Sequence, residues 1–79
     1  MRTIAEIPRP DCRITIFHWN NRYIIKLEAG FLEQTFKVDQ FHFSNEEEVT
    51  RLVSDGFIAQ ALQRFEEMNG SLQQAMKSL

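Results

Sequence analysis

Few side chains in this 79-residue chain are of types that do chemistry. Cys12 is the single thiol. A nucleophilic cysteine needs a nearby imidazole or cation to hold it as thiolate. His18 shares its strand and face but lies six residues on, about 20 Å away at roughly 3.3 Å per residue. The two cannot act together, and Cys12 reads as a small buried apolar residue. Neither His18 nor His42 has a second histidine or a cysteine at metal-ligand spacing. His18 reads as a rim contact beside a turn, and His42, between Phe41 and Phe43, as pointing away from the core. Asp11, Asp39 and Asp55 stand in turn-like or cap-like contexts. Glu46, Glu47 and Glu48 follow Ser44 with the spacing of a capping box, Ser44 to Glu47, where the helix dipole favours acidic side chains. The expectation is a non-enzymatic protein with no catalytic residue, no metal site and no cofactor.

The elements that would position these residues are organised around Cys12 to Val38. Asn20-Asn21 tolerates the positive φ of a type I′ hairpin turn. A two-residue loop there sets Trp19 against Arg22, His18 against Tyr23, Phe17 against Ile24, Ile16 against Ile25, Thr15 against Lys26, Ile14 against Leu27 and Arg13 against Glu28. Period-two alternation then gathers Ile14, Ile16, Tyr23, Ile25 and Leu27 on one face, with Arg13, Thr15, Lys26 and Glu28 on the other. Slipping by one residue would carry the isoleucines to the polar side, so the register is well specified. A second turn at Ala29-Gly30 would set Leu27 opposite Leu32, Lys26 opposite Glu33 and Tyr23 opposite Phe36. Leu32, Phe36 and Val38 join the apolar face, and Gln34 is a misfit there.

Before the meander, residues 1–11 carry Pro8 and Pro10, which exclude a helix and favour extended backbone. They read as an extended arm, either an edge segment along the body or a frayed terminus. Residues 12–43 form the antiparallel sheet, with Phe41 and Phe43 allowing a short further strand or an aromatic-pinned connector. Residues 44–79 are helical. Val49, Leu52 and Val53 share one side of the first helix, and Ser54-Asp55-Gly56 offers a break with a new cap at Ser54. Phe57, Ile58, Ala61, Leu62, Phe65 and Met68 form an apolar stripe at helical spacing, with Gln60, Gln63, Arg64, Glu66 and Glu67 facing water. Asn69-Gly70 is a suitable stop, after which Ser71 to Leu79 could form a last short helix. The expected fold is α+β: a single domain, 1–79, with a three- to four-stranded antiparallel meander and C-terminal helices packed on one face.

A domain this small buries only about 60–65% of its unfolded surface, and natural proteins of this size often add oligomerisation. The net charge of −2 argues against wholesale binding to nucleic acid or anionic membrane. No run of 18 apolar residues is present to span a bilayer. The opening MRTIAEIPRP lacks the apolar core of a signal peptide, which with the lone cysteine points to a cytoplasmic protein.

Helices on one side leave the other sheet face in water. That face carries Phe17 against Ile24, Trp19 two residues along, and Phe31 towards the far end, with Arg13, Arg22, Lys26 and Lys37 among Glu28 and Glu33. Contiguous exposed apolar side chains mark interfaces. The sequence therefore points to a contact with a second copy, as a dimer, or with another protein. Phe17, Trp19 and Ile24 would be its anchors, and Arg13, Arg22 and Lys26 would set orientation. The alternative is a single-stranded nucleic acid stacked on the aromatic, basic face. No small-molecule substrate is implied.

The run PRPDCRITIFHWNNRYIIKLEAGFLEQTFKV resembles the front half of a group of short uncharacterised bacterial proteins. These share a PDC–ITxFxWNxKYxIKxExGxxEQT-like core followed by a helical FIAQALxRFE-like segment. The likeness spans Pro8 to Glu66, with Arg22 where the group has lysine. It implies a bacterial source and transfers no activity.

Overall fold

The computed structural model describes residues 1–79. Four strands, β1 (Arg2–Pro8), β2 (Arg13–Trp19), β3 (Arg22–Ala29) and β4 (Leu32–Asp39), form one antiparallel sheet in the order β1-β2-β3-β4. A single 3-10 turn at Gln40–His42 leads to α1 (Glu46–Leu52) and α2 (Asp55–Lys77). The architecture is α+β, with both helices contributing to a core on one face of the meander.

The first hairpin follows from its turn. Asn20 and Asn21 have φ of 57° and 63°, as a type I′ turn requires, and β2 pairs β3 in the register from Arg13↔Glu28 to Trp19↔Arg22. The second hairpin turns one residue later than the sequence suggests, at Gly30-Phe31. Gly30 takes φ 61° at the first central position, where a type II′ turn wants glycine, whereas a turn at Ala29-Gly30 would have forced the positive φ on alanine. Leu27 therefore pairs with Gln34, Lys26 with Thr35, and Tyr23 with Val38. Each partner moves by two residues, so every side chain keeps its face.

The fourth strand comes from the arm, not from Phe41–Phe43. Residues 2–8 pair along β2 with one irregularity between Thr3 and Ala5, and Ile4, Ala5 and Ile7 pack on the core. A bulge and Pro8 suit an edge position, since both limit further strand pairing. Arg2 meets Glu46 at 2.7 Å and Arg9 pairs with Asp55, tying both ends of the arm to the helices. The connector after β4 is pinned by one aromatic only. Phe43 packs edge-on against Tyr23, while Phe41 is 77% exposed.

The cap of α1 also sits one residue later than the Ser44–Glu47 box. Asn45 is the N-cap, accepting from the Glu48 amide at 3.0 Å, and the Glu48 carboxylate accepts from the Ser44 amide. That backbone hydrogen bond holds the Glu48 carboxyl below the ordinary glutamate range. Ser54 caps α2 through the Phe57 amide, so the helices break at Val53-Ser54 and Gly56 lies within the first turn of α2.

Cys12, Ile14, Ile16, Tyr23, Ile25, Leu27, Val49, Val53, Ile58, Ala61 and Phe65 make one buried cluster. Gln34 is no misfit. Its amide donates to the Ala61 carbonyl at 2.8 Å and its carbonyl oxygen accepts from Arg64 Nε at 2.9 Å. Arg64 also lies over the Phe36 ring, 5.9 Å from its centroid, so it is half-buried and bridges helix to sheet instead of facing water.

α2 does not stop at Asn69-Gly70; it runs 23 residues to Lys77. A helix of that length is about 34 Å long, against strands of eight residues spanning about 26 Å. It therefore outruns the sheet, and every residue from Asn69 onward is exposed. The radius of gyration, 14.3 Å, exceeds the roughly 12 Å of a compact chain this size for the same reason. With no surface there for the chain to fold back on, Gly70 has nothing to cap, and the helix formers from Leu72 to Lys77 each add a backbone hydrogen bond. Gly70 has no positive φ and its absent Cβ would meet nothing within 4 Å. Gly70→Ala is expected to stabilise this turn by about 0.5–1 kcal/mol. The gain should appear as slower amide exchange in residues 69–77, with little change in the global unfolding midpoint; unchanged exchange would count against a helical tip.

Candidate protein interface

The outer sheet face is set by the same alternation that builds the core. Its rows, read from β1 to β4, follow from the register. Trp19, Arg22 and Asp39 stand at the Asn20-Asn21 end. Thr3, Phe17, Ile24 and Lys37 come next, then Glu6, Thr15, Lys26 and Thr35. Pro8, Arg13, Glu28 and Glu33 close the far end. No element lies over these rows, because the arm is a strand in the plane of the sheet and leaves the face open.

Phe17, Ile24 and Trp19 form the apolar part. Trp19 is 52% exposed and Phe17 half-buried. Ile24 is only 8% exposed yet belongs to no core cluster, so it is covered by its neighbours on the face itself. Thr15, at 5%, is buried in the same way. Phe31, 72% exposed in the second turn, is at the opposite end of the sheet, separated from Phe17 by two polar rows. It is not part of this patch. Phe41 is at the Trp19 end, since the Gln40 amide bonds to the Asn21 carbonyl at 3.1 Å, an exposed aromatic that alternation around His42 had assigned to pinning.

The charges are balanced. Arg13, Arg22, Lys26 and Lys37 share the face with Glu6, Glu28, Glu33 and Asp39, the first of these acids placed by β1 and the last by the extension of β4 one residue past Val38. Arg13 lies 3.5 Å from Glu6, and Lys26 lies 3.5 Å from Glu33 across a diagonal. Asp39 accepts from the Phe41 amide at 2.9 Å. Arg22, Lys37 and Glu28 make no ion pair within the chain. Glu28 also stands directly opposite Glu33, an unfavourable like-charge pair.

The residues with chemical potential are scattered and mostly occupied. Cys12 is buried at 7% exposure; burial and, less, the neighbouring Asp11 push its thiol pKa up, partly opposed by Arg9. It borders an open hollow of about 570 Å³ with Glu6, Arg9, Asp11, Arg13 and Glu28. His18 is on the inner face, 5.1 Å from the Tyr23 ring and hydrogen-bonded to the Gln40 side chain. His42 is exposed. No group of three or more histidine, cysteine or acidic side chains converges as metal ligands. No helix is long and apolar enough to cross a membrane.

Compared with known proteins, the chain matches no protein-family model, no curated protein and no solved structure. The functional reading rests on the geometry of the outer face.

Proposed function

We propose that this chain is a non-enzymatic, cytoplasmic protein-interaction module that self-associates or docks a protein partner through the outer face of its sheet. Phe17, Trp19 and Ile24 are the apolar anchors; Arg13, Arg22 and Lys26 orient the contact. The observation that supports this reading is an open sheet face on which half-exposed Trp19 and half-buried Phe17 flank the covered Ile24 within a rim of mixed charge. Removal of a hot-spot tryptophan from an interface commonly costs about 2 kcal/mol or more, roughly a thirtyfold loss of affinity. Trp19→Ala should weaken association by about that factor. It should leave the thermal unfolding midpoint of the monomer unchanged, because Trp19 belongs to no core cluster. Full association by this variant would overturn the placement of the interface. Single-stranded nucleic acid is the weaker reading, because four acids on the face offset its four bases. A single-strand titration at low salt that quenched Trp19 fluorescence would reverse that order.

A further inference from the structure

We propose that the occupant of this face is a second copy of the chain, stacked face to face about a two-fold axis that runs parallel to the strands and passes between β2 and β3. The inference rests on the outer face being the interface and adds the partner and its orientation.

The register decides the geometry. An axis between β2 and β3 lays each β2 residue over the β3 residue that is its neighbour in its own chain. Phe17 meets Ile24 of the partner subunit, and Trp19 meets Arg22 of the partner subunit, a cation–π contact. Arg13 meets the partner's Glu28. Each contact occurs twice by symmetry, as an isologous interface requires. At the edges β1 lies over β4, placing Thr3 by the partner's Lys37 and Pro8 by the partner's Glu33, with no like charges opposed. Two of the four charges that make no ion pair on the face, Arg22 and Glu28, gain a partner, and Glu28 gains a counter-charge that offsets Glu33.

The other in-plane axis, perpendicular to the strands, also brings Arg22 to the partner's Glu28, but it sets the apolar Ile24 against the partner's Lys26 and opposes two carboxylates, Asp39 and the partner's Glu33. Stacked sheets cross at about 30°, which displaces rows about 10 Å from the centre by about 5 Å sideways. The long side chains of Arg13, Arg22 and Glu28 span that offset. Four strands at about 4.8 Å spacing and seven residues at about 3.3 Å give a face of roughly 19 by 23 Å. That is small beside the roughly 800 Å² per partner of a standard interface, so the dimer dissociates on dilution.

A charge exchange between chains tests this arrangement by sedimentation equilibrium over a wide concentration range. The wild type should dimerise reversibly. Arg13→Glu sets two carboxylates together across the axis and Glu28→Arg sets two guanidinium groups together, so each variant alone should associate at least about tenfold more weakly. Circular dichroism of each should match the wild type. An equimolar mixture of the two should recover the wild-type affinity, because both inter-chain pairs are then opposite in sign. Pairs within each chain are the same before and after mixing, so recovery can come only from pairs between chains. A mixture no stronger than the separate variants would overturn the two-fold arrangement. A wild type that stays monomeric throughout would overturn the second copy as occupant, leaving the face to Trp19→Ala measurements with another protein. Wild-type dimerisation insensitive to Trp19→Ala would overturn the face itself.

Discussion

Phe65→Ala is expected to cost about 3–5 kcal/mol of folding free energy, the usual range for emptying a buried phenylalanine site. Phe65 is 5% exposed and stands in the one cluster that joins α2 to the sheet, with Ile58 and Ala61 on the same helix. Only 13 of 79 residues are buried, so few neighbours are available to collapse into the space. Domains have about 5–15 kcal/mol of stability in total, and small ones are at the low end. The variant should therefore be largely unfolded near physiological temperature, or show a urea midpoint lowered by more than half. Far-UV circular dichroism is the suitable probe, because Trp19 is half exposed in the native state. A loss below about 1 kcal/mol would mean that the α2 stripe does not form the lid of the core.

Much of this fold was legible because its strongest determinants are local. Two asparagines fix the first hairpin, and once the turn is placed every β2–β3 pair follows without further choice. The α2 stripe from Phe57 to Met68 is equally direct, since periodicity reports which side of a helix is covered. What escaped the sequence depended on alternatives separated by little energy or on contacts distant along the chain. A turn at Ala29-Gly30 and one at Gly30-Phe31 give the same faces, so alternation could not separate them; the φ needed at the first central position could. Asn45 and Ser44 are both good caps one residue apart. The arm was legible only as extended, an edge segment or a frayed terminus, because an edge strand with a bulge lacks clean alternation and its pairing partner is what orders it.

The candidate interface was legible in the same uneven way. Arg13, Phe17, Trp19, Arg22, Ile24 and Lys26 share one face as the alternation requires, because that statement needs only the first turn. Glu6 and Asp39 were missed, Glu6 because its place depends on β1 and Asp39 because the sequence reading ends the last strand at Val38, one residue short of β4; they change the face from net basic to balanced. Gln34 and Arg64 each looked wrong or idle alone. Together they form a polar clamp between helix and sheet, which a single-position reading cannot find. Gly70 misled for the opposite reason: a stop signal acts only where the chain has somewhere to turn.

The turn at Asn20-Asn21 carries more than the hairpin, because Trp19 and Arg22 flank it on the outer face. Valine at both positions should be strongly unfavourable. Each must hold a φ near 60°, where a side chain with a crowded Cβ costs about 1–2 kcal/mol per residue, giving about 2–4 kcal/mol for Asn20→Val with Asn21→Val. Asn21→Gly should act in the other direction, by several tenths of a kcal/mol, since Asn-Gly is the preferred type I′ pair. Denaturant unfolding of the two variants checks both signs at once. If the valine pair were tolerated, the loop would have changed length, and a change of one residue would carry Trp19 or Arg22 to the opposite face. Association measured on a valine variant that still folds would then fall in step with the loss of the Trp19–Arg22 end. The turn therefore fixes which residues the sheet offers outward, and a stable fold with the wrong turn would present a different surface.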